Sequence, residues 1–160
     1  MTKEHFPSTP AIRVLRDERV DFTLHPYKYE ERGGTEVAAR QLGVDEHVAI
    51  KTLVMEDDRK RPFIILMHGD KEVSTKELAR TIGVKSVHPC DPGTAQRYTG
   101  YMVGGISPFG TRKKLAIYIE ETILDIQRIL INAGRKGLLA EMATTDLLRI
   151  LSPQQVKVGR

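Results

Sequence analysis

Two spacings of hydrophobic residues alternate along the chain, one typical of amphipathic helices and the other of half-buried strands. The helical spacing predicts short helices over 10–18, 36–43, 75–83, 92–100 and 145–151, the second of them after a turn and N-cap at Gly33-Gly34-Thr35. Apolar, β-rich runs predict extended segments over 47–55 and 62–68, and strand patterns predict others over 22–29, 114–120, 128–132 and 138–142. Strands and short helices are therefore mixed along the whole chain.

Capping residues mark several of these boundaries. Thr9-Pro10 is typical of an N-cap followed by a proline in the first helical turn, and Asp91-Pro92 repeats that pattern. The segment Ser74–Glu77 has the pattern of a capping box, and Thr144 is predicted to cap the last helix. Because Pro26 cannot donate to a strand ladder, its segment is expected at a sheet edge or a bulge.

The order of the segments lacks a regular alternation of strand and helix. Segments 47–55 and 62–68 flank a charged loop and predict an antiparallel pair. We expect an α+β fold with a compact, mixed, mainly antiparallel, barrel-like sheet and surrounding short helices. The length of 160 residues fits one domain, expected to span 1–160 with a flexible leader over 1–8.

Composition adds a mild preference for anionic partners. The chain has 25 basic and 21 acidic residues, a formal net charge of +4, which favours a polyanion without resembling a nucleic-acid-coating tail. The single cysteine, Cys90, excludes an intramolecular disulfide. Met1–Pro7 has no apolar signal region, and no long apolar stretch follows. We therefore expect a soluble, cytoplasmic protein.

Several common catalytic arrangements find no support in the motifs. The five histidines lie far apart in sequence and form no paired metal-binding motif. Ser107 precedes Pro108, whose missing amide excludes the oxyanion hole of a nucleophile elbow. Thr111 stands where a phosphate-binding loop needs lysine. Cys90, with no base identified beside it, is expected to be a buried filler.

Lys51 interrupts a strand that is otherwise apolar. Strand alternation places it on the same face as Ala49, Leu53 and Met55. An ammonium group there either reaches solvent at the strand end or points into a cleft, where it meets an anion or a polarised carbonyl. Spacing alone leaves both interpretations open.

The segment Gly100–Gly110 contains four glycines and one proline in eleven residues. It predicts either a structural turn or a loop whose exposed amides hold a carboxylate-like or ester oxygen. Basic clusters occur at Arg59–Arg61, Arg112–Lys114 and Arg135–Lys136. They are typical of solvated turns, and two of them flank glycine-rich loops, where they could bind phosphates.

Three segments, in order, resemble one known family: His25-Pro26-Tyr27, Lys51-Thr52-Leu53-Val54 and Thr99–Gly110. With them the chain resembles the YbaK/EbsC family of aminoacyl-tRNA deacylases, relatives of the editing domain inserted in bacterial prolyl-tRNA synthetases. The resemblance extends from Pro10 to near Leu151. Its most specific part is the third segment, which contains the sequence GYMVGGISPFG.

This resemblance implies a compact mixed α/β domain and a trans-editing hydrolase that deacylates mischarged aminoacyl-tRNA. The expected substrate is Cys-tRNA(Pro), with Cys-tRNA(Cys) as a second. The resemblance implies no metal, no cofactor and no protein nucleophile, since in cysteine-specific members the thiol of the substrate attacks its own ester. The expected partners are aminoacyl-tRNA, in particular tRNA(Pro), and a prolyl-tRNA synthetase, without a membrane or DNA.

The resemblance also assigns candidate site residues. The functional lysine of the family falls on Lys51 and the first glycine of its GGISP loop on Gly104, which are the expected catalytic residues. The pocket tyrosine falls on Tyr27. The rest of the loop is expected to bind substrate: Gly105, Ile106, Ser107 and Pro108.

Two positions depart from the pattern of cysteine-specific members. Those members carry an aromatic residue shortly before their second helix, where this chain has Gly33-Gly34-Thr35, and tend to have GGKRG where this chain has Ala133–Gly137. Three alternatives therefore stay open. The chain could be a deacylase for alanine, serine or threonine on tRNA, a non-catalytic tRNA- or synthetase-binding module, or a small-molecule esterase.

Overall fold

The computed structural model describes residues 8–160, so the predicted leader over 1–8 lies, apart from Ser8, outside the described residues. Within that range the helices are α1 (Pro10–Asp17), α2 (Gly34–Leu42), α3 (Thr75–Ile82), α4 (Pro92–Thr99) and α5 (Thr144–Leu151). The strands are β1 (Phe22–Pro26), β2 (Ala49–Asp57), β3 (Pro62–His68), β4 (Val87–Pro89), β5 (Ala116–Glu120), β6 (Arg128–Arg135), β7 (Leu138–Ala143) and β8 (Gln154–Val156). None of these helices is long and apolar enough to cross a membrane.

The strands form one mixed sheet in the order β1-β7-β6-β2-β3-β5-β8, and β4 pairs with β2 beside this path. The pairs β1·β7, β6·β7, β2·β3 and β2·β4 are antiparallel, whereas β2·β6, β3·β5 and β5·β8 are parallel. The predicted mixed α+β fold is confirmed. Its sheet does not close into a barrel, because β1 and β8 remain its two ends. Pro26 lies on an end strand, as predicted.

Strand β3 lies in the interior of the sheet and is buried on both faces. Ile64 and Leu66 pack into the larger hydrophobic cluster, together with Ile12 of α1. Residues on the other face of β3, such as Ile65, pack with Leu78 of α3. A strand buried on both faces needs a nearly continuous apolar sequence, which explains the run from 63 to 67.

Side-chain caps confirm the predicted starts of three helices. The Thr9 hydroxyl accepts a hydrogen bond from the Ile12 amide at 3.0 Å, and Ser74 and Asp91 cap α3 and α4 in the same way. For α2 the N-cap is Gly33, without a side-chain bond, so Thr35 lies inside the helix rather than capping it. The predicted cap by Thr144 is wrong. Ala143 occupies the N-cap of α5, and the Thr144 hydroxyl donates instead to the Ile126 carbonyl at 2.5 Å.

Strand pairing is interrupted along one edge of β2. At this edge Ala49 and Ile50 pair with β6, and Met55–Asp57 pair with β4. Between these two pairings the Val54 carbonyl accepts a hydrogen bond from the Cys90 amide at 3.0 Å. Among residues 8–160, no strand pairs with residues 51–53 at this edge. We call residues 51–54 the β2 gap.

Candidate active site

A cleft of about 660 Å³ opens at the β2 gap. Its volume lies within the range of about 300–1,000 Å³ that is usual for small-molecule sites. Strand β2 contributes Ile50–Val54 to its wall. The opposite walls come from the segment after β1, from α2, from Cys90 and Ala95 before and within α4, from the glycine-rich loop and from β6–β7. They include Tyr27, Tyr29, Thr35, Gly104, Ile106 and Asn132.

The cleft brings together four of the predicted site residues. Lys51, Gly104, Tyr27 and Ile106 all line it, although they are distant in sequence. The other three, Gly105, Ser107 and Pro108, are buried and are not among its lining residues. Roles in substrate binding remain predictions for all of them.

The Lys51 side chain is half-buried, and its ammonium donates a hydrogen bond to the main-chain carbonyl of Lys71. An ammonium has three donors, so two remain. Among residues 8–160, no carboxylate lies within salt-bridge distance of Lys51. Its charge is therefore not neutralised by an acidic side chain and can attract an anion or a developing oxyanion.

Gly104 adopts a backbone conformation that favours glycine, with φ +96°, and it packs directly on Tyr29. A Cβ at this position would lie 2.6 Å from the Tyr29 hydroxyl oxygen. The Gly105 amide donates to the Met102 carbonyl at 2.8 Å, which closes a tight turn and uses that donor. Within residues 8–160, the amides of Gly104 and Ile106 donate to no protein acceptor, so both can serve a bound oxygen.

The buried residues of the loop hold it in place through packing and a hydrogen bond. A Cβ on Gly105 would lie 2.8 Å from the Lys136 main-chain nitrogen, so the loop packs closely against the turn between β6 and β7. The Ser107 hydroxyl accepts a hydrogen bond from the Phe109 amide at 3.3 Å. These contacts give Gly105 and Ser107 a structural role, whether or not the substrate also contacts them.

Two tyrosines form one wall of the cleft. Burial raises the pKa of Tyr27, so its phenol stays protonated at neutral pH. The Tyr29 ring lies under the Lys136 ammonium, 5.0 Å from its centroid, a cation–π contact. The sequence interpretation missed Tyr29, although it lies two residues after Tyr27 in the segment predicted to be extended. The strand β1 itself ends earlier than predicted, at Pro26.

Cys90 lies in the cleft but is not activated as a nucleophile. Burial and the neighbouring Glu56 carboxylate raise the pKa of the Cys90 thiol to about 12. The reactive species of cysteine is the thiolate, whose fraction at neutral pH is then negligible. The geometry agrees with the interpretation of Cys90 as a filler, with the addition that it contributes to the cleft wall.

Thr52 and Asn132 also line the cleft, and the sequence interpretation missed both. The Asn132 side chain connects two loops, because its amide nitrogen donates to the Gly104 carbonyl at 3.3 Å and its oxygen accepts from the Gly134 and Arg135 amides. Nothing in the apolar pattern marks Asn132, since it ends a predicted strand.

A separate cluster shows that the fold brings two of the scattered histidines together. The rings of His47 and His68 stack at 3.7 Å between centroids, and Asp70 lies beside them. His68 donates from Nδ1 to the His47 carbonyl at 2.8 Å, so its Nε2 accepts from the Thr122 hydroxyl at 2.7 Å. Both ring nitrogens of His68 are used by protein, and the cluster is structural.

Comparison with known proteins identifies relatives of this chain. The family described as the aminoacyl-tRNA editing domain matches residues 30–150. EbsC of Enterococcus faecalis, by name a candidate Cys-tRNA(Pro)/Cys-tRNA(Cys) deacylase, is 27% identical over 151 residues, 94% of this chain and 92% of EbsC. A proline–tRNA ligase of Lactobacillus helveticus is 27% identical over 112 residues, 69% of this chain but 20% of the ligase.

Solved structures share the fold. A candidate trans-editing enzyme for prolyl-tRNA synthetase superposes with a TM-score of 0.82 at 19% identity, covering 97% of this chain and 99% of the other. The hypothetical protein APE2540 superposes with a TM-score of 0.85 at 20% identity, covering 95% and 100%. The predicted family and its reaction class, hydrolysis of aminoacyl-tRNA, are confirmed. The chain belongs to the aminoacyl-tRNA editing domain family.

Proposed function

We propose that this chain deacylates mischarged aminoacyl-tRNA in trans, with Cys-tRNA(Pro) as its principal substrate and Cys-tRNA(Cys) as a second. One observation carries the proposal. Lys51 lines the same cleft as Gly104 and Ile106, whose amides donate to no acceptor within residues 8–160. The cleft volume of about 660 Å³ suits a small-molecule group such as an aminoacyl ester. The relative EbsC, whose name gives these two substrates, aligns with 94% of this chain.

The cation, the loop amides and the tyrosine of the cleft wall have different proposed roles. The Lys51 ammonium binds the phosphate of the terminal nucleotide or stabilises the oxyanion that forms at the ester carbonyl. The amides of Gly104 and Ile106 hold the carbonyl oxygen, as donors aimed at developing negative charge do in other hydrolases. Tyr27 bounds the space for the amino-acid side chain.

For a cysteinyl ester, the substrate supplies the nucleophile. The thiol sulfur attacks the ester carbonyl carbon, the bond from that carbon to the ribose oxygen breaks, and the thiol proton passes to the ribose oxygen. The products are free tRNA and a four-membered thiolactone, which water then opens to cysteine. The role of the protein is to orient the ester and stabilise the oxyanion, which suits a cleft whose own thiol, Cys90, stays protonated.

The tRNA body is a polyanion, and basic side chains lie around the cleft. Arg32 lines it, and Lys136 lies over the Tyr29 ring in the same wall. Contacts of this kind with phosphate make binding depend on salt concentration. Since the same kind of domain matches a fifth of the length of a proline–tRNA ligase, we also propose tRNA(Pro) as the preferred tRNA and prolyl-tRNA synthetase as a partner.

A second candidate function is deacylation of alanine, serine or threonine from tRNA(Pro). One observation favours it. Gly34 and Thr35 line the cleft at the position where cysteine-specific members carry an aromatic residue. Without that ring the pocket can admit other small side chains, and water must then replace the thiol as nucleophile.

A panel of aminoacylated tRNAs tests these functions. Cysteine, alanine, serine, threonine and proline are each placed on tRNA(Pro), and cysteine on tRNA(Cys), with cysteine methyl ester as a simple ester and Lys51→Ala as the control enzyme. We expect Cys-tRNA(Pro) to be hydrolysed fastest and Pro-tRNA(Pro) to be spared. If another aminoacyl-tRNA is hydrolysed fastest, its amino acid replaces cysteine as the proposed substrate. If cysteine methyl ester is hydrolysed as fast as Cys-tRNA(Pro), the protein is a general esterase. If the protein binds tRNA but hydrolyses none of these substrates, it is a binding module.

A further inference from the structure

The Thr52 hydroxyl is the one buried side-chain oxygen or nitrogen in residues 8–160 that has no hydrogen-bond partner. Buried polar groups in folded proteins nearly always form hydrogen bonds. The reason is that leaving such a group unpaired destabilises the protein by more than a typical hydrogen bond stabilises it. A buried hydroxyl without a partner therefore calls for an explanation, such as a role in function.

Thr52 lies in the β2 gap and lines the cleft. The Val54 carbonyl points to the open edge of β2, where it accepts from the Cys90 amide. Main-chain groups of a strand alternate between its two edges, so those of Thr52, two residues earlier, point to the same edge. Neither β4 nor β6 pairs with Thr52 there. Thr52 therefore contributes to the β2 gap a main-chain N–H and C=O that neither neighbouring strand pairs, beside a buried hydroxyl that has no hydrogen-bond partner in residues 8–160.

An aminoacyl ester carries groups that match these three. Its α-ammonium is a donor, its carbonyl oxygen an acceptor, and the ribose hydroxyls are both. We propose that Thr52 is a substrate-binding residue whose hydroxyl forms a hydrogen bond with the bound aminoacyl ester, after a rotation about χ1 that turns it from its buried position towards the cleft. The inference rests on the proposed deacylase function. It explains why a hydroxyl is kept where an apolar side chain of equal shape would fit.

Two substitutions at this position separate the hydroxyl from the shape of the side chain. Thr52→Val keeps the branched shape and removes the hydroxyl. We expect kcat/KM for deacylation to fall by about threefold to tenfold, the effect of one neutral hydrogen bond, while Tm rises by about 2–4 °C, as expected for a chain of this size that loses an unsatisfied buried group. Thr52→Ser keeps the hydroxyl and should retain deacylation close to the wild-type rate.

Thr144→Val is the matched control. The Thr144 hydroxyl is buried as well, but it is bonded to the Ile126 carbonyl and lies on α5, outside the cleft lining. The same chemical change there should lower Tm and leave deacylation by the folded protein unchanged.

The inference stands if Thr52→Val raises Tm and lowers kcat/KM while Thr52→Ser restores the rate. It is overturned if Thr52→Val deacylates as fast as wild type, if its Tm does not rise, or if Thr52→Ser is as slow as Thr52→Val. A wild-type chain that deacylates none of the tRNAs would instead reject the proposed function, and this inference with it. The two failures are therefore distinguishable by the wild-type rate.

Discussion

The Lys51 ammonium is held by a neutral main-chain acceptor, the Lys71 carbonyl, in the turn after β3. That turn is itself fixed, because the Lys71 amide donates to the His68 carbonyl at 3.1 Å and Asp70 accepts from His47 at 2.9 Å. A neutral acceptor orients the ammonium without neutralising its charge. A phosphate or oxyanion in the cleft can therefore compete for it.

Lys51→Ala is expected to reduce deacylation by about 100-fold or more while the protein stays folded, since it removes the cation assigned to the developing charge. Lys51→Arg should also be slow, because a planar guanidinium does not replace a compact ammonium in a shaped cleft. Single-turnover rates on Cys-tRNA(Pro), with Tm measured on the same preparations, check both variants.

Lys71→Ala is the control for this prediction, because Lys71 contributes its main-chain carbonyl, which the substitution keeps. It should deacylate at the wild-type rate. Full activity of Lys51→Ala would contradict the assignment of Lys51 and leave the cleft without its proposed catalytic cation.

Gly104→Ala is expected to slow deacylation by about 100- to 1,000-fold, the effect of losing one well-placed oxyanion donor. The added Cβ must accept φ +96° and a 2.6 Å approach to the Tyr29 hydroxyl oxygen, so the loop has to move. An L-residue in this region also costs about 1–2 kcal/mol of stability. Tm and single-turnover rate, measured on one preparation, separate the effects: a less stable variant with a normal rate would make the loop a scaffold only.

Much of the fold follows from local signals in the chain. Caps such as Asp91 and continuous apolar strands such as β3 are encoded by neighbouring residues, and the sequence predicts both. Strands β4 and β8 were missed because three residues are too few to show a period. The end of the chain is fixed instead by a distant group, the buried Glu120 carboxylate, which accepts from the Val158 amide at 2.8 Å.

The site was predictable in part for the same reason. A lysine among apolar strand residues is a local signal that allows a position in a cleft, and Lys51 does line the cleft. Its catalytic role stays a prediction from the family resemblance. The β2 gap depends on where β4 and β6 meet one edge of β2, which is a property of the tertiary structure. Thr52 and Asn132 gain their candidate roles from that arrangement, so spacing along the chain could not identify them.

Cys90→Ser is expected to retain deacylation of Cys-tRNA(Pro) within about tenfold of wild type, a change of about 1.4 kcal/mol in the barrier. The reason is that burial and Glu56 raise the pKa of the Cys90 thiol to about 12, which leaves almost no thiolate. Initial rates at equal protein concentration provide the measurement. A larger loss at unchanged Tm would restore Cys90 as a nucleophile.

The stability of the protein should fall as pH is lowered through the range set by His68. Burial is the main cause that lowers the pKa of His68 below its usual value of 6.5, and the neighbouring His47 charge adds to it. The unfolded chain therefore binds a proton more readily than the native protein, and native stability decreases as pH falls below about 6.5. The hydrogen bond to the His47 carbonyl opposes this effect most, followed by the Asp70 and Glu120 carboxylates, without reversing it.

Tm measured from pH 7.5 to 5.5 checks that prediction. His68→Gln, which cannot titrate, should have a lower Tm at pH 7.5 but a weaker decline with acid. An equal decline in both proteins would show that other groups set the acid limit.

Asn132 should act on catalysis through the glycine-rich loop. Its amide nitrogen donates to the Gly104 carbonyl at 3.3 Å, and its oxygen accepts from the Gly134 amide at 2.7 Å and from the Arg135 amide at 3.0 Å. Asn132→Asp keeps an acceptor for both amides but cannot donate to Gly104. Asn132→Ala loses all three bonds. The two variants therefore distinguish the effect of the bond to the glycine-rich loop from the effect of the bonds within the turn between β6 and β7.

We expect Asn132→Asp to stay near the wild-type Tm and to lose about fivefold in single-turnover rate, since one hydrogen bond that orients the Gly104 peptide is worth about 1 kcal/mol. Asn132→Ala should show the same reduction in single-turnover rate and, in addition, a lower Tm. Equal rates for wild type and Asn132→Asp would mean that the turn of Gly105 on Met102 is enough to orient the loop. If the rate falls in Asn132→Ala alone, the loss comes from a destabilised turn between β6 and β7. This turn affects the loop because Gly105 packs against the main chain of Arg135 and Lys136.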